Sequence, residues 1–156
     1  MSERLLIYKK MWLWPVSYEG TELKEWQKTI MEIVEGDIHP RKIIVIYDKE
    51  GNSGKTYLSR YLAATMGALV VANGKTADIA YIYNGERIVV FDIARSLQDH
   101  INWGDIEQIK NGMVFSPKYE SKCKNFDQPH VPVMTNTYPD KKMLSKDRWS
   151  VVEIFK

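Results

Sequence analysis

Residues 42–61 have the sequence KIIVIYDKEGNSGKTYLSRY, which is the most specific pattern in the chain. The apolar, β-branched run at residues 43–46 predicts a buried strand. Turn-forming glycine, asparagine and serine residues follow it, and apolar side chains then recur at helical spacing from residue 57. The stretch therefore predicts a strand, a glycine-containing loop and a helix in direct succession.

The loop has the layout of a nucleotide phosphate-binding loop. Lys55 would supply a positive charge for the β- and γ-phosphates, and the Thr56 hydroxyl would ligate a magnesium ion. Lys49 stands where the G-x-x-x-x-G-K-[ST] pattern has its first glycine, so the sharp turn is expected two residues later. The alternative is a chance Gly-Lys-Thr after a buried strand. The backbone N–H groups that would hold phosphate oxygens belong to Gly51, Asn52, Ser53 and Gly54.

Length and composition favour one globular domain. The chain has 156 residues, of which 44% are hydrophobic and 27% charged. Its formal net charge of +2 is too small to indicate nucleic-acid binding by itself. The single cysteine, Cys123, excludes an internal disulfide framework and suits a reducing compartment. No apolar run approaches the ~20 residues that span a bilayer.

Strands and helices are predicted to alternate along the chain. Helices are expected at residues 23–34, 57–66 and 104–111, the first beginning at Thr21 as N-cap and ending at Gly36. Further strands are expected at residues 68–71, 87–92, 131–135 and 150–155. Residues 1–20 are interpreted as an aromatic-rich N-terminal arm or linker, and residues 21–41 as a short helical lead-in. The pattern predicts an α/β fold whose central, mostly parallel sheet has helices on both faces.

Two polar residues end predicted strands. Asp92 follows the apolar run 88–91, where an acid beside a phosphate loop would hold magnesium through its water shell, although many strands end in an acid. Asn136 follows the run 131–135 and would contact the γ-phosphate or the attacking water; the alternative is a turn asparagine before Tyr138. Ile93 follows Asp92, so no adjacent second acid exists. Asp99, Asp105 or Glu107 could supply it, but each is more typical of a surface charge.

The segment 111–126 predicts a hairpin whose lysines could grip the backbone of single-stranded nucleic acid. Its candidate contacts are Lys118, Lys122, Lys124 and Tyr119, and the alternative is an ordinary lysine-rich surface loop. Near the C-terminus, Arg148 is a candidate arginine finger that reaches a phosphate bound by a neighbouring subunit. The alternative is a salt-bridged surface arginine.

Six motifs occur in a fixed order: EGNSGKT, ANGKTADIAY, RIVVFDIARS, SPKYESK, HVPVMTN and LSKDRW. In that order they resemble the superfamily 3 helicase domain of replication-initiator (Rep) proteins of small circular single-stranded DNA viruses, including circovirus-like ones. The resemblance covers residues 23–154. It implies a three-layer P-loop NTPase related to the AAA+ fold, with ATP and Mg²⁺ as cofactors. It further implies a hexameric ring that translocates on single-stranded DNA during rolling-circle replication.

The resemblance also implies roles for individual residues. Gly54, Lys55 and Thr56 would form the nucleotide loop, and Asp92 would be the magnesium acid. Lys118, or Lys122 as second choice, would contact DNA from the pore hairpin. Asn136 would be the sensor, Arg148 the finger from the next subunit, and Trp26 a support for the fold. Lys49 and Ile93 depart from the family pattern and bear on hydrolysis more than on nucleotide binding.

The ATPase domain is assigned to residues 21–156. We expect no DNA nicking, because the paired histidines and tyrosine of the family's nuclease are missing from the sequence. The short region before residue 23 favours a monomeric isolated chain. A soluble, intracellular protein acting in the host nucleus is expected, without a membrane partner. Two alternatives to a DNA helicase stay open: a non-catalytic, Rep-derived module that binds nucleotide and DNA, and an RNA helicase of a small RNA virus.

Overall fold

A computed structural model describes residues 18, 20–72, 76–116 and 122–155, with the backbone alone at residues 76, 77, 97–99, 115, 116 and 122. The helices are α1 (Glu25–Glu35), α2 (Lys55–Met66), α3 (Thr76–Ile82) and α4 (Trp103–Asn111). The strands are β1 (Ile43–Tyr47), β2 (Leu69–Val71), β3 (Val89–Asp92), β4 (Met113–Ser116), β5 (Lys122–Asn125), β6 (Pro132–Thr135) and β7 (Trp149–Glu153). Short 3₁₀ helices cover Arg95–His100 and Lys146–Arg148.

Five strands form the central sheet in the order β2-β3-β6-β1-β7, and every neighbouring pair is parallel. Met134 of β6 lies opposite Ile46 of β1 on one side and Asp92 of β3 on the other. The carboxyl ends of β1, β3 and β6 therefore lie side by side at one edge of the sheet. Polar residues that follow these strands are brought together there, although they are far apart in sequence.

Side chains alternate between the two faces of the sheet and create two hydrophobic layers. Ile43 and Val45 of β1 pack in one cluster with residues of α3 and α4. Ile44 and Ile46 pack in the other cluster with residues of α1 and α2. Because both faces are covered, the central strands are continuous apolar runs. The predicted three-layer, P-loop NTPase-like α/β fold is thus confirmed.

The first helix begins later than the sequence suggested. Its N-cap is Lys24, whose backbone is extended, and Thr21 as N-cap was wrong. The backbone N–H of Lys24 donates to the side-chain oxygen of Gln27 at 2.9 Å, and this bond fixes the start of the helix. The predicted stop at Gly36 is correct. Helix α3 was not predicted, because its seven residues are too few to give a clear period.

The predicted hairpin consists of β4 and β5, which pair antiparallel with Val114 opposite Lys124. Gly112 joins α4 to β4 with a φ of 73°, and a Cβ at this position would collide with the main-chain carbonyl of Phe126. Only glycine allows this close approach. Within the described parts of the chain, no helix is both long and apolar enough to cross a membrane.

Candidate phosphate-binding site

A cavity of about 470 Å³ opens at the carboxyl ends of β1, β3 and β6. Open parallel sheets bind ligands in this kind of crevice, beyond the carboxyl ends of their strands. The loop between β1 and α2 forms one wall, and the segment after β3 forms another. The lining residues are Gly51, Asn52, Ser53, Gly54, Lys55, Thr56, Tyr57, Asp92, Ile93, Ala94, Arg95 and Asn136. All loop residues named from the sequence, together with Asp92 and Asn136, therefore meet in one cavity.

The loop turns through left-handed backbone conformations. Gly51 has a φ of 80° and Gly54 a φ of 97°, values that glycine adopts without strain. Asn52, with a φ of 64°, is a residue type that tolerates this region. Gly51 therefore makes the sharp turn that Lys49 does not supply. A side chain at Gly51 would also collide with the guanidinium of Arg95.

Helix α1 holds the loop from outside the cavity. The Lys24 ammonium donates to the carbonyl of Ser53 at 3.0 Å, and the Gln27 amide donates to the carbonyl of Gly54 at 3.1 Å. Because each trans peptide unit directs its N–H opposite to its C=O, these contacts turn the N–H groups of Gly54 and Lys55 away from α1. The loop amides are thus oriented in advance for an anion.

Lys55 is held by an acid of the loop itself. Its ammonium lies 3.4 Å from Oδ2 of Asp48, the residue that follows β1, and the Ser53 hydroxyl donates to the same oxygen at 2.5 Å. Burial of Asp48, which is 1% exposed, raises its pKa, but the Ser53 hydrogen bond and the Lys55 charge outweigh this effect. The pKa of Asp48 consequently lies below its ordinary value, so the carboxylate is ionised at neutral pH.

The side chains of Asp92 and Thr56, which carry oxygens that could ligate a metal, lie together at the opposite wall. The Thr56 hydroxyl donates to Oδ2 of Asp92 at 3.2 Å. Burial raises the pKa of Asp92, against the lowering effects of Thr56, Lys55 and Arg60. A nearby divalent cation would reverse this shift. The described residues contain no group of three or more acidic, histidine or cysteine side chains that could hold a metal. These two ligands therefore fit a Mg²⁺ ion that takes its other ligands from water and phosphate.

Asn136 lies between the two acids. Its side-chain amide donates to the main-chain carbonyl of Asp48 at 3.0 Å and contributes to the cavity wall. The amide therefore ties the ends of β6 and β1 together at the site. Of the acids considered for orienting water, Asp105 and Glu107 lie on α4 and neither lines the cavity.

Arg148 does not reach this cavity. Its side chain is buried, with the whole residue 3% exposed, and its guanidinium lies 3.1 Å from a carboxylate oxygen of Glu107. It also donates to Oδ1 of Asn111 at 2.6 Å and to the carbonyl of Arg41 at 3.3 Å. An arginine finger must project from the surface, whereas Arg148 joins α4 to β7 in the interior. The structure thus contradicts the finger interpretation. Of the alternative, a salt-bridged surface arginine, the salt bridge is confirmed but the surface position is wrong.

The basic hairpin is described in part. Lys118 and Tyr119 lie outside the described residues, and Lys122 is described as backbone of β5. Lys124 donates from its ammonium to the carbonyls of Ala80 and Tyr83 at 2.8 and 2.9 Å. These bonds turn its charge towards the C-terminal end of α3, so Lys124 is not positioned as a DNA contact.

Sequence reasoning did not identify four residues of the site: Lys24, Gln27, Asp48 and Arg95. Asp48 carries the same signal as Asp92, since it directly follows an apolar strand. Gln27 is 2% exposed and shares a buried helix face with Ile30 and Val34. A polar residue at such a core position indicates a specific partner. Lys24 and Arg95 have no comparable local signal.

Comparison with known proteins gives relatives for this chain. No protein-family model matches it. It is 42% identical over 108 residues to the Master replication protein of Faba bean necrotic yellows virus, covering 69% of this chain and 38% of that protein. It is 37% identical over 133 residues to the Master replication protein of Milk vetch dwarf virus, covering 85% and 46%. It is 32% identical over 158 residues to Para-Rep C9 of the Faba bean necrotic yellows C9 alphasatellite, covering 93% and 56%.

The chain thus spans about half the length of these relatives, or less. The matched region includes between 69% and 93% of this chain. The chain is homologous to part of the replication proteins of circular single-stranded DNA viruses and their satellites, which supports the relationship to Rep proteins inferred from its motifs.

Proposed function

We propose that this chain is the superfamily 3 helicase domain of a viral replication protein, which binds ATP with Mg²⁺ and hydrolyses it. The observation that carries the proposal is the meeting of Lys55, Thr56, Asp92 and Asn136 in one cavity around the loop. The topology of the sheet brings these strand ends to one edge, but packing does not require four polar side chains to line an open cavity there. Phosphoryl transfer requires this set: a cation, metal ligands and a group that positions water.

The residues would divide the work as follows. Amides of the loop would hold the phosphate oxygens, and the Lys55 ammonium would move from Asp48 to the β- and γ-phosphates. Thr56 and Asp92 would hold Mg²⁺, which neutralises charge that develops on the phosphates. Asn136, already fixed by a hydrogen bond at one edge of the cavity, would orient the water that attacks the terminal phosphate.

The relatives connect this chemistry to DNA replication. They are Master replication proteins and Para-Reps, and from this kinship we infer single-stranded DNA as the polymer on which the domain acts. The hairpin β4–β5 would carry the DNA contact through Lys118 and Lys122. A hexameric ring would place six such hairpins around one strand.

A phosphate-release assay tests the proposal. Phosphate release by the wild-type chain is measured with Mg²⁺-ATP over a range of protein concentrations. Each measurement is made without nucleic acid, with single-stranded DNA, and with single-stranded RNA of the same sequence, all at one stated salt concentration. We expect DNA-stimulated turnover whose specific activity rises with protein concentration. Lys55→Ala should abolish turnover. Lys142→Ala, which removes an exposed charge outside the cavity, should leave turnover unchanged.

A second function is favoured by one observation. The residue after Asp92, the proposed magnesium ligand, is Ile93 and not a second acid. Ile93 is 3% exposed and belongs to the core. A site that binds nucleotide but hydrolyses it poorly would act as a module that responds to nucleotide. Tight ATP binding without phosphate release, with DNA and at high protein concentration, would support this module and contradict the motor.

A further inference from the structure

We propose that Arg95 is a catalytic residue that binds the terminal phosphate of ATP from within its own subunit. This inference rests on the proposed function and extends it. Arg148, the arginine expected to stabilise the reacting phosphate, is buried away from the cavity. Arg95 is an exposed arginine in the cavity wall, three residues beyond the magnesium acid Asp92.

The position of Arg95 follows from the turn at the end of β3. The chain leaves the sheet at Asp92, crosses the cavity wall at Ile93 and Ala94, and begins a 3₁₀ helix at Arg95. The guanidinium then lies over the phosphate-binding loop. Its terminal nitrogen and the side-chain nitrogen of Asn136 both lie within 4 Å of the point where a Cβ of Gly51 would stand.

Arg95 and Asn136 thus flank the beginning of the loop, whereas Thr56 is at the start of α2. Asn136 would orient the water that attacks the terminal phosphate, so that phosphate would lie beside Asn136. Arg95 is on the same side of the cavity. Its planar fork of donors matches two oxygens of a phosphoryl group.

The present bond of Arg95 is easily exchanged. It donates to the main-chain carbonyl of Glu50 at 3.3 Å, which is long for a hydrogen bond of this type. A phosphate oxygen is a better acceptor because the bond is charge-assisted. The bond to Glu50 also keeps the side chain over the loop before nucleotide arrives.

The positive charge of Arg95 would act during the hydrolysis step. Water adds to the terminal phosphorus, the bond from phosphorus to the β–γ bridging oxygen breaks, and that electron pair leaves with ADP. One proton from the water is released, and the other remains on inorganic phosphate. Negative charge shifts to the bridging and equatorial oxygens during the step, and an arginine beside them stabilises the transition state.

The test compares Arg95→Ala and Arg95→Lys with Lys142→Ala. The control removes an exposed positive charge from a residue outside the cavity. For each variant, equilibrium affinity for a fluorescent ATP analogue and a fluorescent ADP analogue is measured with Mg²⁺, together with kcat, KM and the thermal unfolding temperature. Arg95→Lys keeps the charge but not the fork, so it also serves if Arg95→Ala folds poorly.

The two arginine variants should lose affinity for ATP, roughly tenfold for Arg95→Ala, with little change for ADP. The kcat of Arg95→Ala should fall by about 10²-fold, and Arg95→Lys should be intermediate. Equal losses for ATP and ADP, or values equal to those of Lys142→Ala, would overturn the inference while leaving ATP hydrolysis intact. A wild-type chain that binds neither nucleotide would instead refute the proposed function itself.

Discussion

The contact between α1 and the phosphate-binding loop gives the most informative prediction about stability. Gln27→Ala removes two hydrogen bonds at once, one to the backbone N–H of Lys24 and one to the carbonyl of Gly54. At about 1 kcal/mol each, their loss should lower the free energy of unfolding by about 2 kcal/mol. For a domain of this size that corresponds to a fall of roughly 4–8 °C in Tm.

The same substitution should weaken nucleotide binding. Without Gln27, the carbonyl of Gly54 keeps only the helical hydrogen bond from the N–H of Leu58. The loop before α2 is then held less firmly, and nucleotide binding must order it. An ordering cost of about 1 kcal/mol would reduce nucleotide affinity roughly fivefold. Gln108→Ala is the matched control, because Gln108 is an exposed residue of α4 and the change removes the same side chain from a helix.

Thermal unfolding followed by circular dichroism and titration of a fluorescent ATP analogue provide the two measurements. Gln27→Glu separates the two bonds, since it keeps the acceptor for Lys24 but places a carboxylate against the carbonyl of Gly54. It should weaken nucleotide binding at least as much as Gln27→Ala. The reasoning fails if the Tm values of Gln27→Ala and Gln108→Ala differ by less than about 1 °C. Such a difference corresponds to a change in the free energy of unfolding below ~0.5 kcal/mol.

Three further predictions concern buried groups and a backbone position. The pKa of Asp48 is lowered in the fold, so its carboxylate stabilises the protein above the ordinary value of 3.8, and this contribution is lost as pH falls through the lower folded value. The Tm of Asp48→Asn should therefore fall less steeply than that of the wild type as the pH is lowered. An unchanged dependence of Tm on acid pH would contradict the lowered pKa of Asp48. Arg148→Ala should cost roughly 3 kcal/mol in urea unfolding, because it strands partners of a buried cation, whereas Arg41→Ala in an exposed ion pair should cost about 0.5 kcal/mol. Equal costs would show that Arg148 is not structural. Gly112→Ala should destabilise by at least ~1 kcal/mol because its φ is positive and a carbonyl blocks the Cβ, while Gly104→Ala meets open space and should be neutral or stabilising in the same assay.

The sequence was informative wherever function depends on local order. A β-branched strand followed by a glycine loop and a helix is recognisable because all of its parts are consecutive. Asp92 and Asn136 were found for a related reason: each follows an apolar strand, and the carboxyl ends of parallel strands meet at one edge. The same rule applied to Asp48 would have identified the partner of Lys55.

Arg148 shows that contacts with residues far away in the sequence cannot be predicted from neighbouring residues. Its partners Glu107 and Asn111 are about 40 residues away and lie one turn apart on α4, and nothing around residue 148 indicates them. A buried arginine and a projecting arginine have the same sequence signature in a polar segment. Lys124 was misjudged for the same reason, since its acceptors are carbonyls at the end of a helix that the sequence did not reveal.

The Asp48–Lys55 pair explains how the loop can be ordered before nucleotide binds. Without Asp48, the Lys55 ammonium would lie next to the loop amides, which are themselves partly positive, and the two would repel each other. Asp48 compensates this charge from behind the loop. A triphosphate that attracts Lys55 to the front does not leave the acid unpaired, because Asp48 keeps the 2.5 Å hydrogen bond from Ser53. Releasing Lys55 would therefore cost one ion pair, and a bound triphosphate would offer Lys55 more negative charge than the single carboxylate of Asp48. An internal acid at this position prepares the site for an anion instead of competing with it, and Asp48→Asn should bind nucleotide more weakly than the wild type, not more tightly.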